Sequence, residues 1–447
     1  VASYYVWSGA TGSANGTSWA NAYTTLTLAF SGKAAGDVFY VAHDHAESTA
    51  GAVTLTATGS TLSIPNKVIC VNRAGSVPPV SADRRATATV TASGPNNITV
   101  TGYIHYDGII FVAGTGTTSS GSLILGTAAN HWMRFDNCSL RLGITAGGGG
   151  TILVGGSSGS LGAIYVELNN TTMSFGAGAG LNTVQVVTIF KWRNTPSALL
   201  GVMPNTLFSV LASHGGLVEC IGVDLSAMGA GKTIAPAGAS TSQAVTYRFI
   251  DCKLDAAVTK SDVPTQYGTC ECDFIRSGAA GVNYAVYRSR GQGTLTEETT
   301  IVRTGGASNG TTTIAWKIVT TGNCAYSMPF ECPPVAIWVD TVGTPVTATV
   351  EGIWGGGAVP NDDDIWVEVE YLGDASSPQG SFVNDGKADL LAAAAGQASS
   401  SETWGGSTTK FKLNVTFTPQ LKGWLYCRVK VGKASTTVYI DPLVVLT

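Results

Sequence analysis

The sequence predicts an all-β protein in which a long β-solenoid is followed by a β-sandwich. Three observations carry the prediction. A six-residue phrase recurs between residues 105 and 276, later strands alternate cleanly without that phrase, and the chain is poor in charge and rich in glycine.

The phrase reads Tyr106-Asp107-Gly108-Ile109-Ile110-Phe111, then Phe135-Asp136-Asn137-Cys138-Ser139-Leu140, then Leu168-Asn169-Asn170-Thr171-Thr172-Met173. It returns as Cys220-Ile221-Gly222-Val223-Asp224-Leu225 and Phe249-Ile250-Asp251-Cys252-Lys253-Leu254, with Trp192-Arg193-Asn194-Thr195 as a degenerate copy between. The first residues stand at 106, 135, 168, 192, 220 and 249, so the steps are 29, 33, 24, 28 and 29 residues. A loose period of this length, carried by strand-like phrases, points to stacked coils. Asn, Asp or Gly two residues into each phrase fits a bend with left-handed backbone. The apolar positions fit inward stacks on alternating strand residues. The alternative is a β-sandwich whose strands resemble one another by chance.

Composition agrees. The chain has 447 residues, 44% hydrophobic and 12% charged, with 56 Gly. Ordinary soluble domains carry about 25% charged residues. A net charge of -4 offers no electrostatic footprint for nucleic acid. No apolar run approaches the ~20 residues of a membrane helix, and no basic start leads into an apolar stretch, so neither a membrane span nor a secretory signal is expected. Val1 leaves open whether an initiator Met or a longer leader was removed. The nine cysteines are an odd set; Cys138 and Cys252 share a place in the phrase and Cys220 falls at an apolar position, so they read as buried core thiols. Cys270-Glu271-Cys272 lacks histidines at zinc spacing. Folding in a reducing cytoplasm follows.

In chain order, residues 4–7 form a strand and residues 9–16 a glycine-rich loop. Thr17 or Ser18 offers a helix N-cap, Trp19, Ala22, Tyr23, Leu26 and Phe30 follow at helical spacing, and Gly32 supplies a stop. An amphipathic helix here would cover the open end of the solenoid. Residues 37–42 are a second strand. His43, Asp44, His45 and Glu47 are a weak metal candidate, since positions 43 and 45 share a face in a strand; a solvated rim is the plainer reading. Short strands continue to residue 112, with Pro65, Pro78, Pro79 and Pro95 between them. Arg84-Arg85 sits in a loop and could grip an acidic partner or simply be solvated. The glycine-rich loops at 114–121 and 147–162 lack the lysine of a phosphate-binding loop.

From about residue 295 the style changes. Strands are expected at 314–319, 335–339, 346–353, 365–371, 410–417, 423–431 and 437–440, which suits a β-sandwich. Glu368 and Glu370 alternate with Ile365, Val367, Val369 and Tyr371, so the glutamates and Trp366 read as the wet face. Asp362 and Asp364 could hold calcium or simply form a solvated turn. The expected domains are 1–45 as a strand and helix cap, 46–294 as the solenoid and 295–447 as the sandwich.

Two resemblances extend this reading. Tyr4-Tyr5-Val6-Trp7, the glycine-rich loop, Thr17-Ser18-Trp19 and Ala35-Gly36-Asp37-Val38-Phe39-Tyr40-Val41-Ala42 together resemble the opening of right-handed parallel β-helix proteins of the pectate-lyase-like class, many of them phage tailspikes or surface proteins. The segments at 364–373 and 417–419, with Gly423 and the ending Val438-Tyr439-Ile440-Asp441-Pro442, are similar to a C-terminal module of phage virion proteins. The resemblances imply a right-handed parallel β-helix with an N-terminal capping helix, followed by a β-sandwich, in a virion assembled in the host cytoplasm.

No motif concentrates the acids, and no nucleophile elbow or metalloprotease helix stands out. Glu167 and Glu219 each precede a phrase and could share a face; with Asp251 they are the catalytic candidates only if the chain cleaves glycan. The expectation is therefore a non-enzymatic capsid decoration protein, without cofactor, bound to the major capsid protein or other virion proteins as a homotrimer. The alternative is a tailspike-like polysaccharide depolymerase or a tail fibre that binds host surface glycan.

Overall fold

In a computed structural model the described residues are 1–115, 121–127, 131–143, 150–155, 164–176, 183–210, 216–235, 245–261, 270–278, 286–298, 315–355, 364–374, 377–378, 384–387, 409–419, 422–441 and 444–447. Strands dominate them, and no helix among them is long and apolar enough to cross a membrane. The chain divides into two units. One takes Val1–Val263 and Phe274–Tyr284, the other Pro264–Asp273 and Ala285–Thr447.

The first unit is a parallel β-helix of three faces. On the first face Ser3–Val6, Val38–Ala42, Asn66–Val71, the end of Ile98–Asp107, His131–Asp136, Ile164–Asn169, Ile189–Thr195, Gly216–Val223 and Val245–Ile250 pair in parallel. The second face stacks Ala46–Thr49, Ala88–Ala92, Ile109–Ala113, Ser139–Leu142, Thr172–Phe175 and Leu199–Gly201. The third stacks Val53–Ala57, the start of Ile98–Asp107, Leu123–Leu125, Thr151–Val154, Thr183–Val186 and Phe208–Val210.

The repeated phrase is the corner between the first two faces. Its opening residues Tyr106, Phe135, Leu168, Trp192, Cys220 and Phe249 are register partners and all are buried. Tyr106 stacks on Phe135 with ring centroids 5.3 Å apart. Two residues on, Gly108, Asn137, Asn170, Asn194, Gly222 and Asp251 all have positive φ, between 47° and 78°. This is the left-handed bend that Asn, Asp and Gly tolerate best. Phe274-Ile275-Arg276 is a further copy, with Arg276 at φ 46°. Its arginine hid it from the residue pattern. Gly108 is the corner where no side chain fits, because a Cβ there would collide with the Arg85 carbonyl.

The helix is shorter than its apolar spacing predicts. Only Leu26–Phe30 is helical, and its N-cap is Thr25, whose hydroxyl accepts from the Leu28 amide. Residues 17–24 turn instead, because Tyr23 pairs as an isolated bridge with Val6. The short helix buries Leu26, Ala29 and Phe30, and Phe30 packs on Phe39 with ring centroids 4.8 Å apart.

The second unit is a β-sandwich of antiparallel strands. One sheet joins Gly293–Glu298, Ala315–Thr320, Thr437–Ile440, Val346–Trp354 and Thr409–Phe417. The other pairs Phe330–Glu331, Val335–Val339 and Ile365–Asp374 with Gly423–Val431. Ile318, Val350 and Leu413 of the first sheet share one core with Val367, Leu425 and Val429 of the second. The face bearing Glu368 is drier than strict alternation predicts. Trp366 is buried with its ring 5.0 Å from that of Tyr326, and Lys430 bridges Glu331 at 2.9 Å and Glu368 at 2.8 Å.

Candidate functional site

Because side chains alternate along a strand, burying Tyr106, Phe135, Leu168, Trp192, Cys220 and Phe249 turns the residue before each of them outward. Those residues form one column in register: His105, Arg134, Glu167, Lys191, Glu219 and Arg248. Two positions earlier runs a second column, Tyr103, Trp132, Tyr165, Ile189 and Leu217. An aromatic-aliphatic stripe and a charged stripe therefore lie side by side on the outside of the first face. Tyr165 is 37% exposed, and Tyr103 and Trp132 are half-buried.

The sequence candidates fall unevenly on this surface. Glu167 and Glu219 share the charged column, with Lys191 between them. Strands lie about 4.8 Å apart, so two steps separate the glutamates by roughly 10 Å, at or past the upper limit for an inverting pair of carboxylates. Glu219 is clamped by Arg193 at 3.2 Å and Arg248 at 3.5 Å. The Glu167 and Lys191 side chains have no hydrogen-bond or ion-pair partner among the described residues. Asp251 stands elsewhere, at a corner, where Arg276 holds it through contacts of 2.6 and 2.8 Å. Those hydrogen bonds keep its carboxyl below the ordinary range. The column places its remaining members on one rule, the residue before each phrase, which also marks His105, Arg134, Lys191 and Arg248.

At the upper end of the column, His105 Nε2 lies 2.7 Å from Asp136 Oδ2 and Arg134 Nε donates to both Asp136 oxygens at 3.0 Å. Burial alone would raise the Asp136 carboxyl, but these hydrogen bonds outweigh it and hold the pKa low.

The histidines do not converge. Residues 43 and 44 form a turn, so the alternation that would pair His43 with His45 is broken. His45 is buried; its Nδ1 accepts from the Ser8 amide at 2.9 Å and its Nε2 lies 3.3 Å from Glu47. Glu47 also accepts from the Leu26 amide at 2.8 Å. Asp44 belongs to Arg73, at 2.7 Å. Asp362 lies outside the described residues, and Asp364 is 3.3 Å from Lys433. Among the described residues no group of three or more His, Cys, Asp or Glu gathers where it could hold a metal.

A cleft of about 540 Å³ opens over the corner between the first and second faces. Arg84, Arg85 and Arg141 surround it, and Asp107, Asn137, Ser139, Asn170 and Thr172 line it. The arginine loop flagged in the sequence thus borders a cavity.

No family model matches the chain, and no curated protein matches it. Among solved structures it is similar to the enzymatically active domain of tailspike protein 4 of bacteriophage CBA120, at 10% identity and a TM-score of 0.21, over 92% of this chain and 64% of that one. It is similar to the tailspike protein of Acinetobacter phage vB_ApiP_P1 at 11% identity and a TM-score of 0.24, over 91% and 82% of the two chains. It is also similar to a tailspike of Acinetobacter baumannii bacteriophage Fri1, a capsular polysaccharide depolymerase, at 11% identity and a TM-score of 0.28, over 91% and 69%. The chain spans less than two thirds of the first of these. At such scores the fold rests on the chain's own strand register.

Proposed function

We propose that the chain is a bacteriophage virion protein whose β-helix binds a host surface polysaccharide along its first face, as a tailspike-like or tail-fibre adhesin. The observation that carries this reading is the pairing of the two outward columns. Tyr103, Trp132 and Tyr165 offer ring faces in successive coils, beside the charged row from His105 to Arg248. Sugar rings present apolar faces and hydroxyl edges, which such a surface meets with aromatic rings on one side and charged hydrogen-bonding groups on the other. The resemblance of the opening and C-terminal segments to phage proteins supports the virion setting.

A capsid decoration protein would need a shell-facing patch instead of a long two-striped surface, so the glycan alternative is favoured over that expectation. Binding is favoured over cleavage. Glu167 and Glu219 stand two strands apart, roughly 10 Å, too wide for a retaining pair and at or past the limit for an inverting one, and Glu219 is held in ion pairs with Arg193 and Arg248.

The test is binding of the full chain to a panel of purified bacterial capsular polysaccharides by interferometry, with reducing-end release measured in parallel. At least one capsule should bind, and Trp132→Ala combined with Tyr165→Ala should weaken it about tenfold or more without changing the melting temperature. Binding to none, together with imaging that finds the protein on the head shell, overturns the reading. Reducing ends that vanish in Glu167→Gln would replace binding with cleavage.

A further inference from the structure

In the β-helix unit, described arginines are matched to carboxylates with two exceptions. Arg73 pairs with Asp44, Arg84 with Asp107, Arg134 with Asp136, Arg193 and Arg248 with Glu219, and Arg276 with Asp251. Arg85 and Arg141 have no ion-pair partner among the described residues, and both border the corner cleft. In a chain with only 12% charged residues, two unmatched guanidinium groups over one cavity call for an anion.

The floor is already organised. Arg141 Nε donates to Ser139 Oγ at 3.0 Å, and Thr172 Oγ1 donates to the same oxygen at 3.0 Å. The Arg141 terminal nitrogens remain for a ligand. Arg85 uses one nitrogen on the carbonyls of Ala82 and Arg84, at 3.1 and 2.7 Å, which fixes its planar group to its own loop. The Asp107 charge is taken up by Arg84 at 3.1 Å and by Asn137, whose Nδ2 donates to it at 2.9 Å. Asn170 donates to Asn137 Oδ1 at 2.8 Å, extending an amide row along the cleft. Among the residues that line the cleft, three guanidinium groups stand against one carboxylate, and with Asp83, on which the Arg85 charge also acts, the balance is still positive. A guanidinium fork matches a carboxylate in two parallel hydrogen bonds, and hydroxyl and amide groups alongside match sugar hydroxyls. The volume lies in the range of small-ligand sites.

We propose that this cleft is a second saccharide site, specific for a uronate-type unit, in which Arg85 and Arg141 bind the carboxylate and Ser139, Thr172, Asn137 and Asn170 bind hydroxyls. The inference rests on the glycan-binding reading for its ligand class, but it uses other residues than the first face. It places acidic polysaccharides ahead of neutral ones as ligands of the whole chain.

The experiment is calorimetric titration of the full chain with trigalacturonate, a hyaluronate tetrasaccharide and, as the neutral control, maltotriose. At least one uronate oligosaccharide should bind and maltotriose should not. Added salt should weaken the binding. Arg85→Gln with Arg141→Gln should lower affinity about tenfold or more, as expected for charge-assisted hydrogen bonds, and Arg141→Lys should fall between. Unchanged melting temperatures show that the variants fold. Lys232→Gln, at a lysine that donates to Asn205 and belongs to neither the cleft nor the first-face columns, should leave uronate binding intact, which separates this site from general charge attraction. Binding of neither uronate, equal binding of maltotriose, an unaffected double variant, or inorganic phosphate binding as tightly as the oligosaccharide would each overturn the proposal.

Discussion

Cys138 and Thr171 occupy the same place in successive coils, and the Cys138 amide donates to the Thr171 hydroxyl at 3.1 Å. That hydroxyl donates in turn to the Phe135 carbonyl at 2.9 Å. The motif repeats at the far end of the β-helix, where the Cys252 amide donates to Ser277 Oγ at 3.0 Å. Thr171 receives the same service from Thr195, at 3.3 Å. After Asn137, Asn170, Asn194, Asp251 and Arg276 the next residue is thus a buried Cys, Thr or Ser beside the backbone of a neighbouring corner, while Ile109 and Val223 follow the two glycine corners. The thiols are more than small apolar fillers.

Thr171→Val keeps the shape of the side chain and removes its hydroxyl. The buried Cys138 amide and Phe135 carbonyl would then lose a partner, which costs about 1–3 kcal/mol. Thr171→Ser should cost less, losing a methyl group but no hydrogen bond. Thermal melting of the two variants checks the order. Equal losses would mean that packing, and not the hydrogen bond, sets the column.

The corner itself selects residues by backbone geometry. Asn170 has φ 47° and an exposed side chain. Asn170→Ala should cost about 1–2 kcal/mol, since a Cβ without a local polar partner disfavours this conformation, while Asn170→Gly should cost less. Gly108→Ala should be worse than either, because the added Cβ must push the Arg85 carbonyl aside. It should also disturb the arginine cleft. Melting curves for the three variants test this ranking.

That selectivity explains what was legible in the sequence. Asn, Asp and Gly announce a left-handed bend, so six corners could be read, while Arg276 announces nothing and its corner could not. The charged column follows from the same phrase by stepping back one residue, but its members differ in charge and type, so only the acids Glu167 and Glu219 stand out in a search for catalytic carboxylates. The cleft depends on how the loop bearing Arg84 and Arg85 folds over Gly108, which no local pattern encodes. Trp19, Ala22 and Tyr23 have helical spacing, but a strand bridge from Val6 to Tyr23 competes for that segment, so the helix is shorter than the spacing suggests.

Thiol chemistry gives a probe of the buried column. Cys70, Cys138, Cys220, Cys252, Cys272, Cys324, Cys332 and Cys427 are buried thiols. Burial pushes the Cys252 thiol up to about 11, and Cys332 and Cys427 up to about 12. At pH 8 these eight should react with a disulfide reagent only as the chain opens. Mass spectrometry after brief native labelling should find none of them modified. Rapid modification of Cys138 or Cys252 would show that their corners open locally.

Asp136 predicts an acid dependence. Its folded pKa is below the ordinary carboxylate value, so its ionised form stabilises the fold. That contribution is complete above the unfolded pKa of about 3.9 and disappears as pH falls through the lower folded value. Asp136→Asn should therefore be less stable than the parent at pH 6, and the gap should narrow as pH drops from 5 toward 2. A gap that stays constant across that range would assign the loss to shape and not to charge.

Lys191 stands in register between Glu167 and Glu219 on the first face. Replacing Lys191→Glu would set three carboxylates on adjacent strands, each about 4.8 Å from the next. Like charges directly opposite one another on a sheet destabilise by roughly 0.2–1 kcal/mol per pair. Two such pairs should lower the melting temperature measurably at low ionic strength. Because the face is open to solvent, salt should restore much of the loss, with a screening length of about 8 Å at 0.15 M. Lys191→Met removes the positive charge without adding a negative one and should fall between the parent and Lys191→Glu. If Lys191→Glu melts with the parent at every ionic strength, the charged column is not read by its neighbours at all, and its role in meeting a polysaccharide would have to rest on the aromatic stripe beside it.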